Sequence, residues 1–174
     1  MMLNLRLAKK KMEKEEGMNH LWIELTHTNN LFENAILRIH LPNGLYRGLN
    51  LNGNFETETG EIKLVSQDKD VFIEFYTQSR IDCDEALINV ELCYQSSHLN
   101  WKGIKQDITV RFVDEEDVDD EHIDHQVIER VMRLEINSSS KAGSDKELLV
   151  IRPRTYQTRD SEYAYLEKDY RINY

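Results

Sequence analysis

Cysteine is nearly absent: of 174 residues only Cys83 and Cys93 carry thiols. Secreted small domains that lean on disulfides carry more, so this pair predicts reduced thiols and a cytoplasmic chain. No run approaches the roughly 20 apolar residues that span a bilayer as a helix. The first 18 residues run basic then acidic, without an apolar stretch and a small-residue cleavage site, so no secretory signal is expected. Positive charge is outweighed, with 22 Lys and Arg against 32 Asp and Glu and a net charge of −10. A phosphate backbone or an anionic lipid surface repels such a chain, so neither nucleic acid nor membrane is expected as a partner. Proline occurs twice, and no Gly-x-Ser-x-Gly, phosphate-binding loop, Gly-x-Gly-x-x-Gly or His-Glu-x-x-His is present. Cys83 lies between Asp82 and Asp84, whose charge disfavours a thiolate. These absences predict no catalytic residues and no cofactor.

What is present is alternation. Leu21, Ile23 and Leu25 alternate with Trp22, Glu24 and Thr26. The same period of two recurs at Ala35, Leu37, Ile39 and Leu41, at Ile62 to Val65, at Val71, Ile73 and Phe75, at Ala86 through Tyr94, and at Ile108, Val110 and Phe112. Leu3, Leu5 and Leu7 repeat it near the start, which suits an edge strand, and the charged residues 9–16 read as a solvated connection. Turn chemistry separates the runs: Pro42-Asn43-Gly44, Asn52-Gly53 inside the run 49–55, and Thr59-Gly60. About seven short strands, each with one apolar face, predict an antiparallel sandwich over residues 1–113.

The period changes after residue 113. An acidic run, residues 114–121, leads into Ile123, Val127, Val131 and Leu134, one stripe of a helix. Asp119 is the expected N-cap, and the helix should end near Ile136. Residues 137–144 have linker composition, and the tail beyond holds five of the eight tyrosines. The expected organisation is therefore a sandwich over 1–113, an acidic segment with an amphipathic helix over 114–136, and a linker with a tyrosine-rich tail over 137–174.

The stretch Leu25-Thr26-His27-Thr28-Asn29-Asn30, followed by Glu33 through Leu45 with its Leu41-Pro42-Asn43-Gly44-Leu45 turn, resembles bacterial immunoglobulin-like domains of the CARDB and NEW3 type. In those domains a strand ends in a Thr-Asn turn and the next leads into Leu-Pro-x-Gly-Leu. The resemblance covers residues 20–113 and implies an immunoglobulin-like sandwich there. With the helical stripe and tail read from the residues beyond, the expected chain is mainly β: an immunoglobulin-like antiparallel β-sandwich with a C-terminal helix and an extended tail. It brings no catalytic residues with it.

Candidate contacts follow from residue chemistry. Tyr156, Tyr163, Tyr165, Leu166, Tyr170 and Tyr174 offer large contact area at low rotamer cost. Such a tail either docks on a partner or folds back on its own sandwich. Trp22 points away from the Leu21/Ile23/Leu25 face, which marks either an interface or a site packed beneath another element. On a helix His122, His125 and Glu129 share a face and offer two imidazoles and a carboxylate to a divalent ion, without a recognisable fourth ligand. The function expected is a non-enzymatic protein–protein interaction module, an accessory subunit of a bacterial intracellular complex that binds another protein or a second copy of itself. The alternatives are a metal-dependent regulator or enzyme using His122, His125 and Glu129, and a phage or secretion-system structural component.

Overall fold

The computed structural model describes residues 2–26, 34–95, 100–118 and 123–141, with side chains in the last stretch through Leu134. Among these residues nine strands form two sheets: β1 (Met2–Leu7), β2 (Lys11–Glu13), β3 (Met18–Thr26), β4 (Ala35–His40), β5 (Leu45–Asn50), β6 (Ile62–Leu64), β7 (Asp70–Thr77), β8 (Glu85–Gln95) and β9 (Trp101–Val113). A helix, α1 (His125–Lys141), follows. One sheet has the order β1-β3-β7-β5 and the other β2-β9-β8-β4-β6. In chain order the first sheet is the A-B-E-D sheet of an immunoglobulin domain. The strands β9, β8 and β4 are its G, F and C, with β6 added beyond C.

The alternating rows explain the core. Leu21, Ile23, Val71, Ile73 and Phe75 of one sheet meet Leu37, Ile88, Val90, Leu92 and Val110 of the other, all fully buried. Each buried Leu, Ile or Phe side chain removed from water contributes roughly 1.5–3 kcal/mol before chain entropy is counted. Because side chains repeat every second residue, a slip of one residue would turn an entire row to solvent, and this fixes the register.

The N-terminal segment departs from expectation. The charged residues 9–16 are not merely a connection, since Lys11–Glu13 forms β2 and pairs in parallel with Arg111–Val113 of β9. Met12 drives this, because its side chain is fully buried among lysines and glutamates that stay at the surface. The chain changes sheet at Lys9. The buried Asn19 side chain takes the Lys9 N–H at 3.0 Å and donates to its carbonyl at 2.7 Å, satisfying the backbone where no strand can.

Two turns need their glycines. Gly44 has φ +89 after Pro42, and Gly53 has φ +74 after Asn52. The strand before Gly53 lies earlier than the sequence suggests. β5 ends at Asn50, whose side chain turns inward, accepts the Asn54 N–H at 2.8 Å and donates to the Asn54 carbonyl at 2.9 Å. Residues 51–55 are therefore a closed loop rather than a strand.

Helix α1 packs on the outer face of the β1-β3-β7-β5 sheet. Val127 and Val131, from the predicted stripe, cover Ala8, Trp22 and Phe72. The N-cap is Asp124 rather than Asp119: its Oδ1 accepts the N–H groups of Gln126 at 3.1 Å and Val127 at 3.4 Å. Helical backbone continues to Lys141, five residues past the expected end.

Candidate functional site

The feature with the clearest binding chemistry is one edge of β9. Its pairing with β8 runs unbroken from Glu85↔Arg111 to Gln95↔Trp101. Phe112 donates its backbone N–H to the Asp84 carbonyl at 2.8 Å, on the β8 side. The Val113 carbonyl instead accepts from Lys14 at 2.9 Å, on the opposite side. Antiparallel pairing alternates these directions residue by residue. Even-numbered residues of β9 therefore bond to β8, while Trp101, Gly103, Lys105, Asp107 and Thr109 turn both N–H and C=O outward. β2 covers the outer side only over residues 111–113. Among the described residues, 101–110 have a strand neighbour on one side alone.

Side chains alternate with the backbone. Those of Trp101, Lys105, Asp107 and Thr109 are exposed, Gly103 shows bare backbone among them, and Ile104 and Ile108 pack against the core. Lys105 Nζ lies 3.4 Å from Glu91, and Asp107 accepts from Asn89 at 2.6 Å. Next to this edge, β1, β9 and the start of α1 enclose an open groove of about 790 Å³. Leu5, Leu7, Ile108 and Ile123 give it an apolar floor, and Lys10 and Arg111 stand at its rim.

The far wall of the groove is fixed by charge. Arg6 holds Asp124 through both of its oxygens, with Nε–Oδ2 at 2.9 Å and Nη2–Oδ1 at 2.8 Å. The Arg6 guanidinium also lies 5.0 Å from the centre of the Trp22 ring, and Arg130 lies 5.6 Å from it. Trp22 stacks on Phe72 with ring centres 5.4 Å apart.

Trp22 is thereby corrected as a contact residue. It does point outward from the sandwich, but α1 covers it and leaves 6% exposed, so a partner does not reach its face. His125 and Glu129 are both exposed on α1 but serve different surroundings. His125 lines the groove, whereas Glu129 lies by Trp22 with its carboxylate 4.0 Å from Arg133. Among the described residues no three His, Cys, Asp or Glu side chains gather as a metal site. His122 lies outside the described residues, as do Tyr156, Tyr163, Tyr165, Leu166, Tyr170 and Tyr174.

The sequence reading missed the β9 edge and the Arg6–Asp124 pair. Alternation shows which face of a strand is buried, not which edge lacks a neighbour. Gln106 also interrupts the inner row and hid the first half of β9. The Arg6–Asp124 pair joins residues 118 positions apart, and no local pattern announces it.

No family model matches the chain, and no curated protein matches it. Solved structures do. The major pilin subunit of Bacillus cereus is 9% identical, over 63% of this chain and 41% of the pilin, with a TM-score of 0.42. The collagen-binding subdomain of the Enterococcus faecalis surface protein ACE is 10% identical, over 62% of this chain and 95% of the subdomain, with a TM-score of 0.39. A cohesin module from a Clostridium perfringens family 33 glycoside hydrolase is 12% identical, over 65% and 98%, with a TM-score of 0.37. This chain thus matches less than half the length of the pilin. The strand order by itself gives an immunoglobulin-like β-sandwich. The resemblance drawn from residues 25–45 holds at the level of that sandwich and no finer. The expected cytoplasmic location does not stand beside these matches, which are a pilin subunit and a subdomain of a surface protein. No helix among the described residues is long and apolar enough to cross a membrane.

Proposed function

We propose that this chain is a non-catalytic protein-binding module, an accessory component that docks an extended segment along the outer edge of β9 and into the groove beside it. One observation carries the reading: five successive outward-facing residues, Trp101 to Thr109, offer backbone donors and acceptors that no described strand uses. An added strand satisfies such groups directly, while pockets beside it select side chains. Lys102 and Lys105 guard the edge against indiscriminate pairing, and the apolar floor at Leu5 and Ile108 rewards a segment with apolar residues at alternate positions.

Site-specific photocrosslinking in the source cells tests this. A crosslinker at Lys105 is expected to give a discrete adduct that mass spectrometry assigns to one protein, and the same group at the exposed Leu49 of β5 is not. Lys105→Pro removes one outward N–H and no β8 bond. Carried into a chain with the crosslinker at Asp107, it should abolish the adduct and leave the folded spectrum unchanged. Equal adducts from both strands, or an adduct indifferent to the proline, would reject the reading.

A further inference from the structure

Among segments that fit the β9 edge, the edge itself is the best matched. We infer that β9 pairs antiparallel with β9 of a second copy of this chain, about a two-fold axis at Gln106. This rests on the reading of β9 as a docking edge and names its occupant.

Charge and register carry the inference. Only odd-numbered residues turn their backbone groups outward, so two such edges bond with odd residues opposite odd residues. Three central registers then compete. Centring on Lys105 sets that lysine against its own copy, and centring on Asp107 sets two carboxylates against each other; like charges directly opposite destabilise a sheet. Centring on Gln106 places Lys105 opposite Asp107 twice, once on each side of the axis. The same register sets Ile104 opposite Ile108 on the inner face, where both are only partly covered within one chain. It brings Gly103 opposite Thr109. β2 already occupies the edge at Arg111, so the new ladder is confined to residues 103–109. No charged residue of the ladder opposes its like in that register, and only Gln106, a neutral amide, faces its own copy across the axis.

Sedimentation equilibrium of the full chain across concentrations is the test. The parent should show a monomer–dimer equilibrium. Lys105→Asp and Asp107→Lys, each creating like-charge pairs, should weaken the dimer about tenfold or more, because attraction becomes repulsion in two symmetric pairs. The double swap, Lys105→Asp with Asp107→Lys, should restore it to within about threefold. In a Cys83→Ser, Cys93→Ser background, Gln106→Cys should form a disulfide between copies, since facing residues in a non-hydrogen-bonded pair lie about 4.5 Å apart at Cα. A chain that stays monomeric, or a dimer that ignores the single swaps or is not restored by the double one, overturns the self-pairing. If the Lys105 photocrosslink to another protein survives that result, the edge still binds and only its occupant was misassigned. If the crosslink is also absent, both readings fail together.

Discussion

Arg6 and Asp124 lie 118 positions apart in the chain and form a two-toothed pair, with Nε–Oδ2 at 2.9 Å and Nη2–Oδ1 at 2.8 Å. The same carboxylate caps α1, and the Asp124 N–H bonds to the Ala8 carbonyl at 2.8 Å. One side chain thus starts the helix, ties it to β1 and closes the far wall of the groove. Asp124→Ala should therefore cost more than a cap alone. We expect about 2 kcal/mol, made up of roughly 1 kcal/mol for the cap and a similar share for the charged hydrogen bonds. Chemical denaturation measures it, and a double-mutant cycle with Arg6→Ala should return a coupling of about 1 kcal/mol.

The two tryptophans should respond in opposite ways. Trp22 is 6% exposed beneath α1, and Trp101 is 53% exposed at the start of β9. Trp22→Ala opens a cavity against Phe72 and Val127 and should cost about 3–5 kcal/mol. Trp22→Phe should cost below about 1.5 kcal/mol, since the indole N–H has no hydrogen-bond partner among the described residues. Trp101→Ala should stay within about 0.5 kcal/mol of the parent in folding stability. Thermal or urea unfolding of the three variants checks the ranking.

Glu56 supplies a pH dependence. Burial pushes its carboxyl up, but hydrogen bonds from Arg47 and Asn50 outweigh burial and hold it below the ordinary glutamate range. A depressed carboxylate contributes stability that is complete above the unfolded-state pKa, about 4.3, and lost as pH falls through the lower folded value. Arg47 Nη2 is 2.5 Å from Glu56, whose side chain is 8% exposed. Arg47→Met should cost about 3 kcal/mol near neutral pH by leaving that charge unpaired. The gap between parent and variant should narrow as pH falls below the ordinary glutamate range, and close once pH has passed the depressed folded value, where the carboxyl is protonated in both. Unfolding curves at pH 7 and pH 3 give the comparison.

Much of the sandwich was legible because one face of each strand is buried, so Leu21/Ile23/Leu25 and Val71/Ile73/Phe75 wrote the period of two directly. Val127 and Val131 wrote the helix in the same way. What escaped was set by distant neighbours. Asp119 and Asp124 both suit an N-cap, and Arg6 selects Asp124 from the far end of the chain. Met12 looked like part of a charged connection because only the tertiary fold offers it a pocket beside β9. Alternation shows that Trp22 faces outward, but nothing near it in sequence shows that α1 covers it. The β9 edge was invisible for the same reason: an open edge is defined by a strand that is not there.

Residue-resolved amide exchange on the intact chain tests the central claim most directly. In dilute solution the N–H groups of Gly103, Lys105, Asp107 and Thr109 should exchange fast, while those of Ile104, Gln106, Ile108 and Val110, bonded to β8, stay protected. As concentration rises, or with the crosslinked partner added, the fast set should become protected while the other set changes little. Protection of the odd-numbered residues in the dilute monomer, or their continued fast exchange in every bound state, would contradict the account.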